Sequence, residues 1–296
     1  MKRERFPVDY GLTARMIFTM FLLAALYLFF GLVLWYAGIG FTGIVFFVGI
    51  MLFIQYYFSD RLVLLSTGAR EVSPQEAPQL HAIVERLSVL ADVPKPRVAV
   101  MPTSIPNAFA TGRSPRNAVV AVTAGLMQRL TEPEVEAVLA HEMSHIKNRD
   151  VAVMTIASFF ATVASFIVQN FFFYGGFLDR DREDRGGAML VYLVSLLVWL
   201  ISFFLIRALS RYREFAADRG AAFLTGSPGL LSSALMKISG IMQRFPERDL
   251  RQAEGMNAFF IIPALRGESF AELFSTHPSL ERRIAYLQEL ERQMRG

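Results

Sequence analysis

His141, Glu142 and His145 stand in the order H-E-x-x-H within Thr131-Glu132-Pro133-Glu134-Val135-Glu136-Ala137-Val138-Leu139-Ala140-His141-Glu142-Met143-Ser144-His145. On a helix, residues four apart lie one turn above each other, so both imidazoles can reach one metal ion with Glu142 beside them as a base. The helix has its own signals. Thr131 and Glu134 have the form of a capping box, Pro133 falls in the first turn, and Val135, Val138 and Leu139 repeat at helical spacing. Two surface histidines on an amphipathic helix would show the same spacing, so a third ligand must decide. The chain has no cysteine, which leaves His, Asp or Glu to supply it.

Glu214 and Asp218, in Arg211-Tyr212-Arg213-Glu214-Phe215-Ala216-Ala217-Asp218-Arg219, are also four apart. A zinc peptidase uses three protein ligands and keeps a position open for water, and its histidines donate their other N–H to a carboxylate. Glu214 fits the first role and Asp218 the second. Taken alone, the pair would read as a charged helix surface. Joined to the two histidines it reads as the remainder of a zinc site.

The elements that must carry these residues are mostly apolar. The chain is 53% hydrophobic with 27 phenylalanines, and its mean hydropathy is +0.38, which points to a membrane protein. Residues 1–15 are short and basic. Residues 16–58 hold no charge and divide at Gly38-Ile39-Gly40 into two segments of membrane-spanning length, a first transmembrane hairpin and not a signal peptide. Residues 59–150 have soluble character, with a capping box at Ser73 and Glu76, a helix carrying Leu80, Ile83, Val84, Leu87 and Leu90, and three short strands near 97–101, 107–112 and 118–122. His81 on that helix lacks a partner four residues away and reads as an ordinary histidine. Residues 151–206 form a second hairpin, its uncharged runs separated by Asp179 to Arg185, and residues 207–296 return to soluble character. The expected fold is a mainly α membrane protein of four transmembrane helices, with an α+β zincin-type protease part containing a small sheet.

Arginines flank the apolar runs at Arg3, Arg5, Arg15, Arg61, Arg70, Arg207, Arg211 and Arg213, so the positive-inside rule puts all soluble parts on the cytoplasmic face. That clustering explains the net charge of +4 without a nucleic-acid partner. A metal transporter would need ionisable groups inside its spans, and all four histidines lie outside them. Charges at Glu132, Glu134, Glu136, Lys147, Arg149 and Asp150 keep the motif out of the bilayer core. His145 precedes Val151 by six residues and Glu214 follows Ile206 by eight, so at 1.5 Å per residue the metal is expected roughly 10 Å from the membrane.

In combination, H-E-M-S-H at His141 to His145, E-F-A-A-D at Glu214 to Asp218 after a hairpin, P-N-A-F-A-T-G at Pro106 to Gly112, and T-H-P-S-L-E-R-R-I from Thr276 to Ile284 resemble the HtpX-type membrane zinc metalloproteases. These are heat-shock-associated quality-control endopeptidases of bacterial inner membranes, related to the CAAX prenyl proteases. The resemblance implies one Zn2+ per chain held by His141, His145 and Glu214, and Glu142 as catalytic base. It also implies the strand Asn107, Ala108, Phe109 and Ala110 as a substrate-binding edge, and His277 and Arg283 as hydrogen-bond donors near the reacting carbonyl. The expected reaction is peptide hydrolysis, with polypeptides of the membrane as substrates, in a multi-pass protein of the inner membrane. The alternative is an inactive membrane scaffold with a structural zinc site. The apolar run Met256 to Leu265 reads either as a lid over the cleft or as a buried part of the soluble core.

Overall fold

A computed structural model describes residues 9–36, 42–170, 184–244 and 275–295. The Gly38 to Gly40 break, most of the 179–185 loop and the 256–265 run lie outside these residues. The helices are α1 (Tyr10–Tyr36), α2 (Thr42–Tyr57), α3 (Ser59–Thr67), α4 (Pro78–Ala91), α5 (Ala124–Arg129), α6 (Glu132–Asn148), α7 (Asp150–Asn170), α8 (Asp184–Thr225), α9 (Pro228–Met242) and α10 (Leu280–Arg295). The strands are β1 (Arg70–Glu71), β2 (Arg97–Met101), β3 (Ala108–Thr111) and β4 (Val119–Thr123), in the order β1-β2-β4-β3.

Among the described residues, α1, α7 and the part of α8 from Met189 onward are long and apolar enough to cross a bilayer. The fourth expected span qualifies only if α2 and α3 are taken together, and these are bent by 68° at their junction. The bend has a local cause: the uncharged run ends at Phe58, and Asp60 then pairs with Arg97 at the start of β2. This lays Val63 of α3 against Ala99, Phe109, Val119 and Ala121 on one sheet face. The other face, Val98, Val120 and Val122, packs on α4 and α6 and shares one core with Leu87, Val138 and Leu139 and, across α6, with Leu235 of α9. Burial on both faces explains why β4 reads as an unbroken apolar run.

A separate cluster joins the membrane helices, with Phe30 and Leu34 of α1 against Val163 of α7 and Val198 of α8. The third-ligand candidate therefore sits on the same unbroken helix as a span. The apolar part of α8 ends at Ile206, and Glu214 and Asp218 lie in the turns beyond it.

One expected element starts elsewhere. Ser73 and Glu76 make the reciprocal bonds of a capping box, Ser73 N–H to Glu76 Oε2 at 2.7 Å and Glu76 N–H to Ser73 Oγ at 3.3 Å. They close a turn, and α4 begins only at Pro78, because the ring of a proline drives the preceding Ala77 out of helical geometry. On α4, Leu90 faces outward and Ala91 takes its place in the core.

Candidate active site

The H-E-x-x-H helix is built as its sequence requires. Glu134 Oε2 accepts the Thr131 amide at 2.9 Å, Pro133 lies in the first turn, and eleven of seventeen residues of α6 are buried. It packs between α8, α4, α9 and β3, which places His141, Glu142 and His145 at the floor of a cleft of about 300 Å³. The cleft is lined by Ala108, Phe109 and Ala110 on one side and by Glu214, Thr276 and His277 on the other.

Three donor atoms converge there. His141 Nε2 and His145 Nε2 are 3.1 Å apart, and the Glu214 oxygens lie 3.7 Å and 3.5 Å from them. Two ligands each 2.0–2.1 Å from a tetrahedral ion stand about 3.3 Å apart, and the two histidine nitrogens and the nearer Glu214 oxygen of each lie within a few tenths of an ångström of that spacing. The opposite ring nitrogens are occupied. His141 Nδ1 meets Asp218 Oδ1 at 2.9 Å and His145 Nδ1 meets Asp150 Oδ2 at 2.6 Å. Each carboxylate accepts a hydrogen bond from an Nδ1–H, so both Nε2 lone pairs face each other and the Glu214 carboxylate. Such a cluster repels itself unless a cation lies within it.

The charge inventory agrees. Asp218 is paired with Arg283, and Asp150 with Arg213. Glu214 and Glu142 remain, and one divalent ion would neutralise them. Burial pushes His141 down to about 4 against the pull of Asp218, which keeps it neutral. Burial alone would push Glu214 up, but His277, His145 and Arg283 outweigh it and hold the carboxylate well below its ordinary value. Asp218 is likewise pushed up by burial and held down by Arg283 and His141. At Glu142 burial, with the Glu214 carboxylate adding to it, outweighs His145, the Ala110 amide and Arg283 and raises it to about 7. A base poised near neutrality both accepts and returns a proton.

Among the remaining expected residues, His277 lines the cleft with Nδ1 3.0 Å from Glu214 Oε2. Its segment is fastened to α8 by Arg211, which donates to Ser275 O at 3.0 Å. Arg283 is placed behind the donors. It is fully buried, forks onto Asp218 at 2.9 Å and 2.6 Å, and stands 3.5 Å from Glu214 Oε2. His81 is remote, bonded to Val72 O.

β3 is an edge strand beside the floor. Asn107 is buried and its carbonyl accepts the Thr123 amide, with Ala108 opposite Val122. Hydrogen-bonded pairs alternate in an antiparallel ladder, so the N–H and C=O of Ala108 and Ala110 point away from β4 and into the cleft. The Ala110 amide donates to Glu142. Asp150 and Arg213 were not expected at the site. A sequence signal for Asp150 exists only in the demand that His145, like His141, have a carboxylate on its far nitrogen.

A membrane-spanning metallopeptidase is what this floor, edge strand and helix-borne donor set define. Comparison with known proteins agrees. The sequence profile of peptidase family M48 matches residues 74–291. A "Protease HtpX homolog" of Moorella thermoacetica is 71% identical over 99% of this chain and 98% of its own length. A "Protease HtpX homolog 2" of Methanosarcina acetivorans is 60% identical over 99% and 100%. The crystal structure of Ste24p from S. mikatae shares the fold, with a TM-score of 0.55 at 19% identity, over 94% of this chain and 66% of that one. The chain belongs to peptidase family M48, a family of metalloproteases, and is a membrane metalloprotease acting on polypeptides.

Proposed function

We propose that this chain is a zinc endopeptidase that hydrolyses peptide bonds of misfolded or damaged membrane proteins at the cytoplasmic face of the cell inner membrane, as part of protein quality control. The observation that carries the zinc assignment is the convergence of His141 Nε2, His145 Nε2 and a Glu214 carboxylate whose two histidines are each backed by an aspartate. In this reading His141, His145 and Glu214 hold the ion and Asp218 orients His141. When bound, zinc supplies a Lewis acid that polarises the scissile carbonyl and acidifies a water.

The chain's own residues do the rest. Glu142 takes the proton of the attacking water and returns it to the leaving nitrogen. The outward amide and carbonyl of Ala108 and the outward carbonyl of Ala110, on the strand from Asn107 to Ala110, pair with an extended substrate main chain whatever its side chains. His277 reaches the cleft from the opposite wall and serves as a donor to the reacting carbonyl. Arg283, enclosed by Asp218 and Glu214, supports the ligands from behind and does not touch the substrate.

Glu142 also separates this reading from an inert zinc scaffold, since a structural site has no use for a base at an open position. Zinc content and cleavage are to be measured on wild type and Glu142→Ala in detergent. One zinc per chain in both, with cleavage lost in the variant, is expected; a cleaving Glu142→Ala would sink the mechanism. Equal turnover of soluble unfolded casein and of a membrane protein would remove the substrate restriction. Because the chain has no cysteine, a single cysteine introduced at exposed Ser66 should be labelled from the cytoplasmic side of sealed vesicles; labelling from the other side alone would invert the topology.

A further inference from the structure

The two motif histidines are held by matching relays. His141 leads to Asp218 and on to Arg283. His145 leads to Asp150 and on to Arg213. We propose that Asp150 and Arg213 are positioning residues of the reaction, holding His145 in the tautomer and orientation that present Nε2 to the metal. This rests on the zinc site proposed above.

The chain reaches this arrangement through a break. In an unbroken helix Asp150, five residues after His145, would sit roughly 140° around the axis and point elsewhere. Arg149 instead adopts φ 56°, ψ 43°, ends α6, and donates its amide to the carbonyls of His145 and Ile146. An arginine in the left-handed region costs about 1 kcal/mol or more. The cost is borne at the position where it turns Asp150 back onto His145 Nδ1.

Arg213 then fixes Asp150. It is 5% exposed, pairs with Asp150 Oδ1, and donates to the Asn148 carbonyl at 3.2 Å, at the end of α6. It is also the residue before Glu214 on α8. One guanidinium thus holds the end of the motif helix, the carboxylate behind His145 and the backbone beside the third donor. Asp150 opens α7 and Arg213 lies just past the apolar part of α8, so the relay joins His145 to both helices of the second hairpin.

A carboxylate behind a ligating imidazole raises its basicity, and its loss typically costs 10- to 100-fold in metal affinity. The test uses the full chain in detergent, with three readouts: zinc affinity by competition with a chelator, the visible spectrum of the cobalt-substituted protein, and the thermal midpoint of the metal-free protein. Asp150→Asn, which keeps shape and loses charge, should bind zinc about 10- to 100-fold more weakly and shift the cobalt bands; the Arg213 charge it strands lowers the metal-free midpoint as well, so the cobalt spectrum is the readout that separates positioning from stability. Arg213→Lys, which keeps the charge and loses the planar guanidinium that reaches both Asp150 and the Asn148 carbonyl, should lose about tenfold, and it carries the test if Asp150→Asn does not fold. Zinc affinity within twofold of wild type and an unchanged cobalt spectrum would overturn the relay, as would a lowered metal-free midpoint with the spectrum unchanged. A wild-type chain that takes up no zinc would instead overturn the metal site itself.

Discussion

The two histidines sit one turn apart on one helix, yet they are held by different pairs of elements. Behind His141, the relay comes from α8 and α10 on the side of the soluble core, and Asp218 and Arg283 are sealed from solvent. Behind His145, the relay comes from the start of α7 and from α8 just past its apolar part, and the His145 side chain is 19% exposed against 1% for His141. Removing one partner of a fully buried ion pair strands a charge where water cannot reach it. At the second relay the Asp150 side chain keeps 11% of its surface exposed against 0% for Asp218, so a stranded charge there is less fully enclosed. The first relay therefore belongs to the fold as much as to the metal; the second acts mainly on the metal.

Arg283→Ala should expose that difference most sharply. It leaves Asp218 buried and unpaired beside Glu214, at a cost of about 3–5 kcal/mol, and should lower the thermal midpoint of even the metal-free protein. Arg213→Ala leaves Asp150, whose side chain is 11% exposed against 0% for Asp218, and should lower the midpoint by less while still weakening zinc binding. Equal losses of midpoint in the two variants would remove burial as the distinction.

Both relays also depend on how closely α6 and α8 approach. A Cβ on Gly220 would lie 2.3 Å from Ser144 Oγ and 2.8 Å from Ser144 Cβ. The hydroxyl can rotate away; the Cβ cannot. In a helix interior Gly220→Ala would ordinarily stabilise by roughly 0.8–1 kcal/mol, but here the clash should win, costing about 1–3 kcal/mol and weakening zinc binding as α8 carries Glu214 away from the histidines. Adding Ser144→Gly should return most of both losses. A stabilised Gly220→Ala with normal zinc affinity would show that the two helices can separate without disturbing the donors.

What could be read from the sequence followed from periodicity within single helices. The spacing of His141 and His145, of Glu214 and Asp218, and the capping box at Thr131 and Glu134 need no knowledge of any other element. The edge strand at Ala108 to Thr111 was legible through its glycine and proline punctuation. Residues whose position depends on a break were not. Asp150 needs the left-handed turn at Arg149, a conformation that an arginine does not advertise. Arg213 reads as one more flanking positive charge until the fold turns it inward. The 68° bend after Tyr57 lies within what looks like a plain exit from the membrane, and the two-residue strand β1 carries no periodicity at all.

The far end of α6 supplies the mildest case and a control for the relays. Glu134 is enclosed, and it accepts from Lys237 at 2.6 Å, Ser233 at 2.7 Å and the Thr131 amide at 2.9 Å. Burial pushes its carboxyl up, but Lys237, Ser233 and Thr131 outweigh this and bring it from 4.5 down to about 2. A carboxyl depressed in the folded state stabilises fully above its unfolded pKa, and the gain is lost as pH falls through the folded value. In metal-free protein, Glu134→Gln should therefore cost on the order of 1 kcal/mol at neutral pH. The gap from wild type should start to close below about pH 4.5 and vanish near pH 2. Because Lys237 is half in solvent, salt should shrink this gap while leaving the loss caused by Arg283→Ala in place. A gap that ignores both pH and salt would mean that Glu134 acts through packing alone, and that exposure is not what separates a strong ion pair from a weak one on this helix.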